Sequence, residues 1–116
     1  MRNFPASSIV ALAVFFGQSA WAGDQAHVQE GSRIFQYWCA SCHGKGPGHP
    51  GTDALQKLYK GSLSALLEER TDLTPDVIAT FVRHGNSIMP FFRKTEISDA
   101  DLAAIGAYLS RKGPNP

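Results

Sequence analysis

Cys39-Ala40-Ser41-Cys42-His43 is the stretch on which the reading of this chain turns. Two thiols three positions apart, with a histidine directly after the second, form a C-x-x-C-H run, the pattern of covalent c-type haem attachment. One helical turn separates such thiols, so each can add to one of the two vinyl groups of a porphyrin, forming thioethers, while His43 reaches up to the iron. A thioredoxin-like redox pair would need a βαβ setting, and a zinc site would need a second ligand pair at usable spacing. The sequence has no other cysteine. A disulfide between Cys39 and Cys42 would close a tiny loop and add little against unfolding.

On either side of the motif the sequence reads as short helices joined by loops. Val28, Ile34, Phe35 and Trp38 recur mostly at helical spacing, which predicts a helix over residues 28–40 running into the cysteines. Residues 44–51, Gly-Lys-Gly-Pro-Gly-His-Pro-Gly, hold four glycines and two prolines and predict a loop. Leu55, Leu58 and Tyr59 suggest a short helix, and Leu63, Leu66 and Leu67 a further turn or two. Thr74 as N-cap, Pro75 at the first helical position and Asp76 behind it open a helix through Ile78, Phe81 and Val82 that Gly85 ends. Ser98-Asp99-Ala100-Asp101 caps a last helix with Leu102, Ile105, Tyr108 and Leu109 on one stripe, and Arg111-Lys112 suit its negative end. No segment alternates convincingly at period two. The expected class is all-α, four to five short helices round one haem.

At 116 residues the chain suggests one small domain. Its 11 Lys+Arg balance 10 Asp+Glu without a basic run, which argues against nucleic acid as a partner. The N-terminus reads as a secretory signal: Arg2 in a short positive region, apolar residues 9–16, then Ser19-Ala20-Trp21-Ala22 as an A-x-A cleavage site. Residues 1–22 are expected to be removed after Ala22, leaving residues 23–116 as the haem domain in the periplasm, with membrane contact only during export. The apolar run is too short to span a bilayer, for which ~20 apolar residues are needed. A domain this small gains from a prosthetic group at its centre, because its own core is limited.

Iron held by His43 has a second axial face, for which the chain offers Met89, His49, His84 and His27. Met89 is the best candidate. It sits in Ser87-Ile88-Met89-Pro90, beyond a helix end, where Pro90 restricts it to extended backbone suited to crossing the opposite face of the ring. The competing reading is a gap-filling core methionine. Thioether and imidazole together would give a comparatively high potential, and a second histidine a lower one.

Taken together, these features resemble the class I cytochromes c across nearly all of residues 23–116. Gly31 and Phe35 ahead of C-x-x-C-H match that family's N-terminal helix, where the glycine admits a close crossing of the C-terminal helix and the aromatic packs at it. Tyr108 looks like the partner on the last helix. Val82-Arg83-His84-Gly85-Asn86-Ser87-Ile88-Met89-Pro90-Phe91 resembles the distal stretch, with Met89 as axial ligand. The resemblance also implies a proline carbonyl that accepts a hydrogen bond from His43 Nδ1. In this chain Pro47 and Pro50 both come early, and Pro50 is the favoured candidate.

More narrowly, Arg70-Thr71-Asp72-Leu73-Thr74-Pro75 and Phe92-Arg93-Lys94-Thr95-Glu96-Ile97-Ser98 are similar to cytochrome subunits of p-cresol methylhydroxylase and eugenol hydroxylase. That implies a flavin or quinone dehydrogenase as electron donor and a downstream cytochrome or oxidase as acceptor. Three functions are compatible with this: a free one-electron carrier, a permanent dehydrogenase subunit, and a haem sensor or enzyme with an open distal site. Nothing resembles a peroxidase's distal acid–base set, which disfavours the last. Of the remaining residues, one of Phe91 and Phe92 is expected to face solvent and the other to pack inward, since consecutive side chains in extended backbone point opposite ways. Arg83, Arg93 and Lys94 read as solvated surface charges, with haem propionates or an acidic partner as alternatives. Trp38, Tyr37 and Tyr59 read as pocket or core packing, and His49 has no evident role.

Overall fold

The computed structural model describes residues 19–111, and these are helical without strands, as the sequence predicts. The helices are α1 (Ser19–Trp38), α2 (Ala40–His43), α3 (Pro50–Tyr59), α4 (Pro75–His84) and α5 (Asp99–Ser110), with a 3₁₀ turn at Leu67–Glu69. Arg2, the apolar run of residues 9–16 and Lys112 lie outside the described residues. The expected cleavage point after Ala22 falls within α1. Among the described residues no helix is long and apolar enough to cross a membrane.

Two expectations about boundaries are corrected. α1 begins well before Val28: residues 23–27 are exposed, so those turns carry no apolar stripe by which periodicity could find them. The Gly/Pro loop is shorter than expected, because Pro50 opens α3. A proline at the first helical position loses no hydrogen bond there and has its φ already set, so it starts a helix as readily as it interrupts one.

The local caps form as read. Thr74 Oγ1 accepts from Val77 N (3.3 Å) at the start of α4, and Gly85 ends that helix at φ 69°. At α5 the Ser98 hydroxyl accepts from Asp101 N (3.1 Å) while the Asp101 carboxylate accepts from Ser98 N (3.1 Å), a reciprocal box. These bonds satisfy amide donors that a helix start leaves without partners.

α5 is the central element. Beyond the expected stripe, Ala104 and Gly106 are buried too, because α1 and α4 pack on different sides of it. At the α1 crossing the backbones come so close that a Cβ on Gly31 would stand 2.0 Å from the Ala104 carbonyl oxygen. Beside it Phe35 and Tyr108 meet with ring centroids 5.8 Å apart at 46°. On the α4 side, a Cβ on Gly106 would meet Pro75 Cβ at 3.2 Å. Ile34, Phe35, Ile78, Val82, Ile97, Leu102, Ala104, Ile105, Tyr108 and Leu109 form one continuous core. The Tyr108 hydroxyl donates to Glu68, which ties the 3₁₀ turn to the back of the helix pair, and the Arg111 guanidinium lies 4.2 Å over the Tyr108 ring.

Candidate functional site

The cysteine motif is formed by a hand-over between two helices. Cys39 N donates to Phe35 O (2.8 Å), completing α1, and Cys39 O then accepts from both Cys42 N (3.0 Å) and His43 N (2.8 Å). This holds Cys39 and Cys42 one tight turn apart with His43 next in line. Both thiols are free; Cys42 is exposed and Cys39 half-buried. Burial, with a smaller contribution from Cys42, pushes the Cys39 thiol up to about 11. Burial also pushes the His43 imidazole below its ordinary 6.5, favouring the neutral ring that can act as a metal ligand.

His43 Nδ1 is sealed from solvent and makes no hydrogen bond among the described residues. The bond expected with the Pro50 carbonyl is therefore not formed. Pro50 stands at the first position of α3, where its carbonyl belongs to the helix's own ladder. What faces the imidazole is Gly51: a Cβ there would lie 2.8 Å from His43 Cε1 and 3.0 Å from Nδ1, so only glycine lets α3 approach this closely. With Nδ1 enclosed, coordination from outside falls to Nε2.

The loop between α2 and α3 is held by contacts that sequence reasoning missed. His49 Nδ1–H donates to Ser41 O (3.1 Å), and Thr52 Oγ1 donates to Gly44 O (2.9 Å). His49 thus has a structural role, fastening the loop back onto α2. Its only sequence signal was a polar ring in a segment otherwise made of glycine and proline apart from Lys45.

Met89 lies in a short, tightly closed turn after α4. Met89 N donates to Asn86 O (2.9 Å) and Asn86 N to Met89 O (3.0 Å), with Ser87 between them in the left-handed region at φ 54°. Gly85 admits this turn, since a Cβ on it would meet Met89 O at 2.6 Å. Met89 is half-buried and packs against the same core as Cys39, Ala40, Trp38 and Phe92. Cys39 and Met89 thus both rest against the buried core. His84 and His27 are exposed, and His84 Nδ1–H is already donated to Thr80 O (2.9 Å).

Phe91 is 62% exposed and Phe92 turns inward to meet Trp38 edge-on at 5.9 Å, the split expected of consecutive residues. Tyr37 is 75% exposed, which corrects its assignment to the core: α1 buries the face of Ile34, Phe35 and Trp38, and Tyr37 points away. Tyr59 accepts from Arg70 Nη1 (2.8 Å). Arg93 pairs with Glu96 (3.4 Å) and Lys94 with Asp99 (2.7 Å) at the surface. Arg83 is not a solvated charge: its side chain is 18% exposed and bonded to the segment that follows Met89. An open cleft of about 430 Å³ beside α3, lined by Thr52, Gln56, Ser64 and Glu69 among others, includes none of the motif residues.

The donor set suits a covalently held haem. Two free thiols one turn apart, an imidazole whose burial favours the neutral ring and encloses one nitrogen, and a thioether packed against the core are the groups such a cofactor needs.

Comparison with known proteins gives the same reading. Residues 26–109 match the family model for cytochrome c oxidase, cbb3-type, subunit III. A cytochrome c6 of Cyanidioschyzon merolae is 29% identical over 102 residues, covering 88% of each chain. A cytochrome c6 of Picosynechococcus sp. is 28% identical over 113 residues, covering 95% of this chain and 92% of the relative. No solved structure matches.

Proposed function

The chain belongs to the family of cytochrome c oxidase, cbb3-type, subunit III, a c-type cytochrome that carries electrons on haem c, and from that premise we propose how and where it does so. Cys39 and Cys42 would hold the haem by thioethers, with His43 Nε2 and Met89 Sδ as the groups that would bind its iron. Export with cleavage after Ala22 delivers residues 23–116 to the periplasm. There a dehydrogenase of the flavin or quinone class supplies electrons, and a downstream cytochrome or oxidase removes them.

Bound haem c supplies a one-electron Fe(III)/Fe(II) couple, and the protein tunes it. Cys39 and Cys42 fix the ring to the α1–α2 junction. Gly51 and the start of α3 brace the His43 ring, which sets the plane of the imidazole. Trp38 and Phe92 exclude water from the apolar side of the site. Met89, a soft thioether in a low-dielectric setting, favours the reduced state and holds the potential high.

The single observation that carries this reading is that Met89, held in the closed turn after α4, and Cys39 both pack against the same buried core. Met89→His should keep the haem covalently bound while lowering the potential and abolishing the methionine-linked absorption of the oxidised protein. Met89→Ala should leave a site that binds carbon monoxide when reduced. An unchanged spectrum and potential in Met89→Ala would reduce Met89 to packing and turn the search to His84 or His49. A permanent dehydrogenase partner, as opposed to a transient one, would show itself by co-purification with the cytochrome at constant stoichiometry.

A further inference from the structure

The segment from Gly85 to Ser98 has no regular structure of its own, yet it carries Met89 and must present it reproducibly. Its internal bonds are few. The Asn86–Met89 turn closes on itself, and Ile97 N and Glu96 N fold back onto Arg93 O. Neither fixes the segment to the helices. Two anchors fix it to α4, and both come from consecutive residues in that helix's last turn.

The first is backbone: Phe92 N donates to Val82 O (2.8 Å). The second is the Arg83 guanidinium. Its Nη1 donates to Phe92 O (3.1 Å) and Ile97 O (2.8 Å), and its Nη2 donates to the Asp99 carboxylate (2.9 Å). Phe92 thus has its N–H held by Val82 and its carbonyl held by Arg83, three residues after Met89. Ile97, fully buried, is fastened from the other end, and Asp99, which also pairs with Lys94, links the assembly to the first turn of α5.

We propose that Arg83 is the positioning residue for the distal ligand: by bonding Phe92 O, Ile97 O and Asp99 at once, it fixes the far end of the Met89 segment against α4 and keeps the thioether at its post. This rests on the reading of Met89 as that ligand. A rigid planar fork with several donors is required, because one side chain must satisfy two carbonyls in different directions and a carboxylate. Lysine has a single nitrogen on a flexible stem and cannot reproduce the geometry.

The experiment uses the haem-loaded protein with Arg83→Lys, Arg83→Met and Asp99→Asn. Each is scored for covalent haem, the methionine-linked absorption of the oxidised form, the reduction potential, and affinity for added imidazole. An external ligand binds only the fraction of molecules whose methionine has left, so its apparent affinity reports that fraction directly. Covalent haem should be unchanged throughout. Arg83→Met should weaken the absorption, lower the potential and raise imidazole affinity roughly tenfold or more, the scale set by losing hydrogen bonds to a charged group. Asp99→Asn, which leaves both carbonyl bonds in place, should shift affinity several-fold less. Arg83→Lys should fall between wild type and Arg83→Met, and it carries the test if Arg83→Met does not fold. Lower melting temperatures with unchanged absorption, potential and imidazole affinity would overturn the proposal, leaving Arg83 as a purely structural residue. Absence of the absorption in the wild-type protein would instead refute Met89 as ligand, and this proposal with it.

Discussion

Replacing Gly31 with alanine should destabilise the folded cytochrome more than its one added methyl suggests. The new Cβ would stand 2.0 Å from the Ala104 carbonyl oxygen, 2.5 Å from its carbon and 2.8 Å from Tyr108 Cβ. Carbon–oxygen contacts settle near ~3.3 Å, so α1 and α5 would have to part by about 1.3 Å. Two of the three obstructing atoms are backbone, and no rotamer change moves them. Parting the helices would also loosen Phe35 against Tyr108 and Ile34 within the core. Overpacking ordinarily costs ~1–3 kcal/mol and occasionally more; a clash with backbone at this distance belongs at or just above the upper end, ~3–4 kcal/mol. Alanine's better helix propensity returns about 1 kcal/mol, leaving a net loss of ~2–3 kcal/mol. At ~4–8 °C per kcal/mol for a domain of this size, the melting temperature should fall by roughly 10–20 °C. Thermal unfolding of the oxidised holoprotein, followed by far-ultraviolet circular dichroism, measures it. Gly106→Ala serves as the graded comparison, since its Cβ comes no nearer than 3.2 Å to Pro75 Cβ and 3.4 Å to Pro75 Cα, and it should cost well under half as much. A Gly31→Ala protein that melts within a few degrees of wild type, or one more stable than Gly106→Ala, would refute the close-crossing argument.

Cys39→Ser/Cys42→Ser should accumulate no covalently bound haem when expressed with the attachment machinery, read by haem staining after denaturing electrophoresis; staining at wild-type strength would contradict thioether attachment. In acid, the hydrogen bonds from Arg70 hold the Asp72 carboxyl below its ordinary 3.8. A depressed folded-state value stabilises the protein above the unfolded value, and that stability is lost as pH falls through the folded one. Asp72→Asn should therefore be less stable than wild type at neutral pH by a small amount, with the gap closing below pH 3.8; a gap that widens in acid would be the wrong sign.

What the sequence made legible was what neighbouring residues settle among themselves. Cys39, Cys42 and His43 declare their chemistry within five positions, and the caps at Thr74 and Ser98 are formed by side chains reaching three residues along. Pro50 was misread because the same residue type serves loops and helix starts, and its surroundings of glycine favoured the former. Arg83 was read as a surface charge because nothing in Val82-Arg83-His84 reveals the partners at 92, 97 and 99. The Tyr108–Glu68 bond spans forty positions and leaves no local mark. Tyr37 and Trp38 are adjacent aromatics, and helical geometry sends them to different faces; the assignment needed the exact rotation of α1 against α5. The Met89 turn lies between these cases, with Gly85 and Pro90 announcing a break and the Asn86–Met89 closure invisible until the backbone is traced.

The crossing of α1 with α5 joins the first described helix to the last, and this sets an order of events during synthesis. α1 emerges early but has no partner for Ile34 and Phe35 until α5 follows, so the core cannot close while the chain is still being delivered. Contacts between distant segments form late, because the entropy of closing the intervening loop is lost before the contact is gained. Throughout that interval the α1–α2 junction is exposed, and with it both thiols. If Cys39 and Cys42 hold the haem as proposed, attachment would proceed on an open chain, and the α1–α5 core would close afterwards.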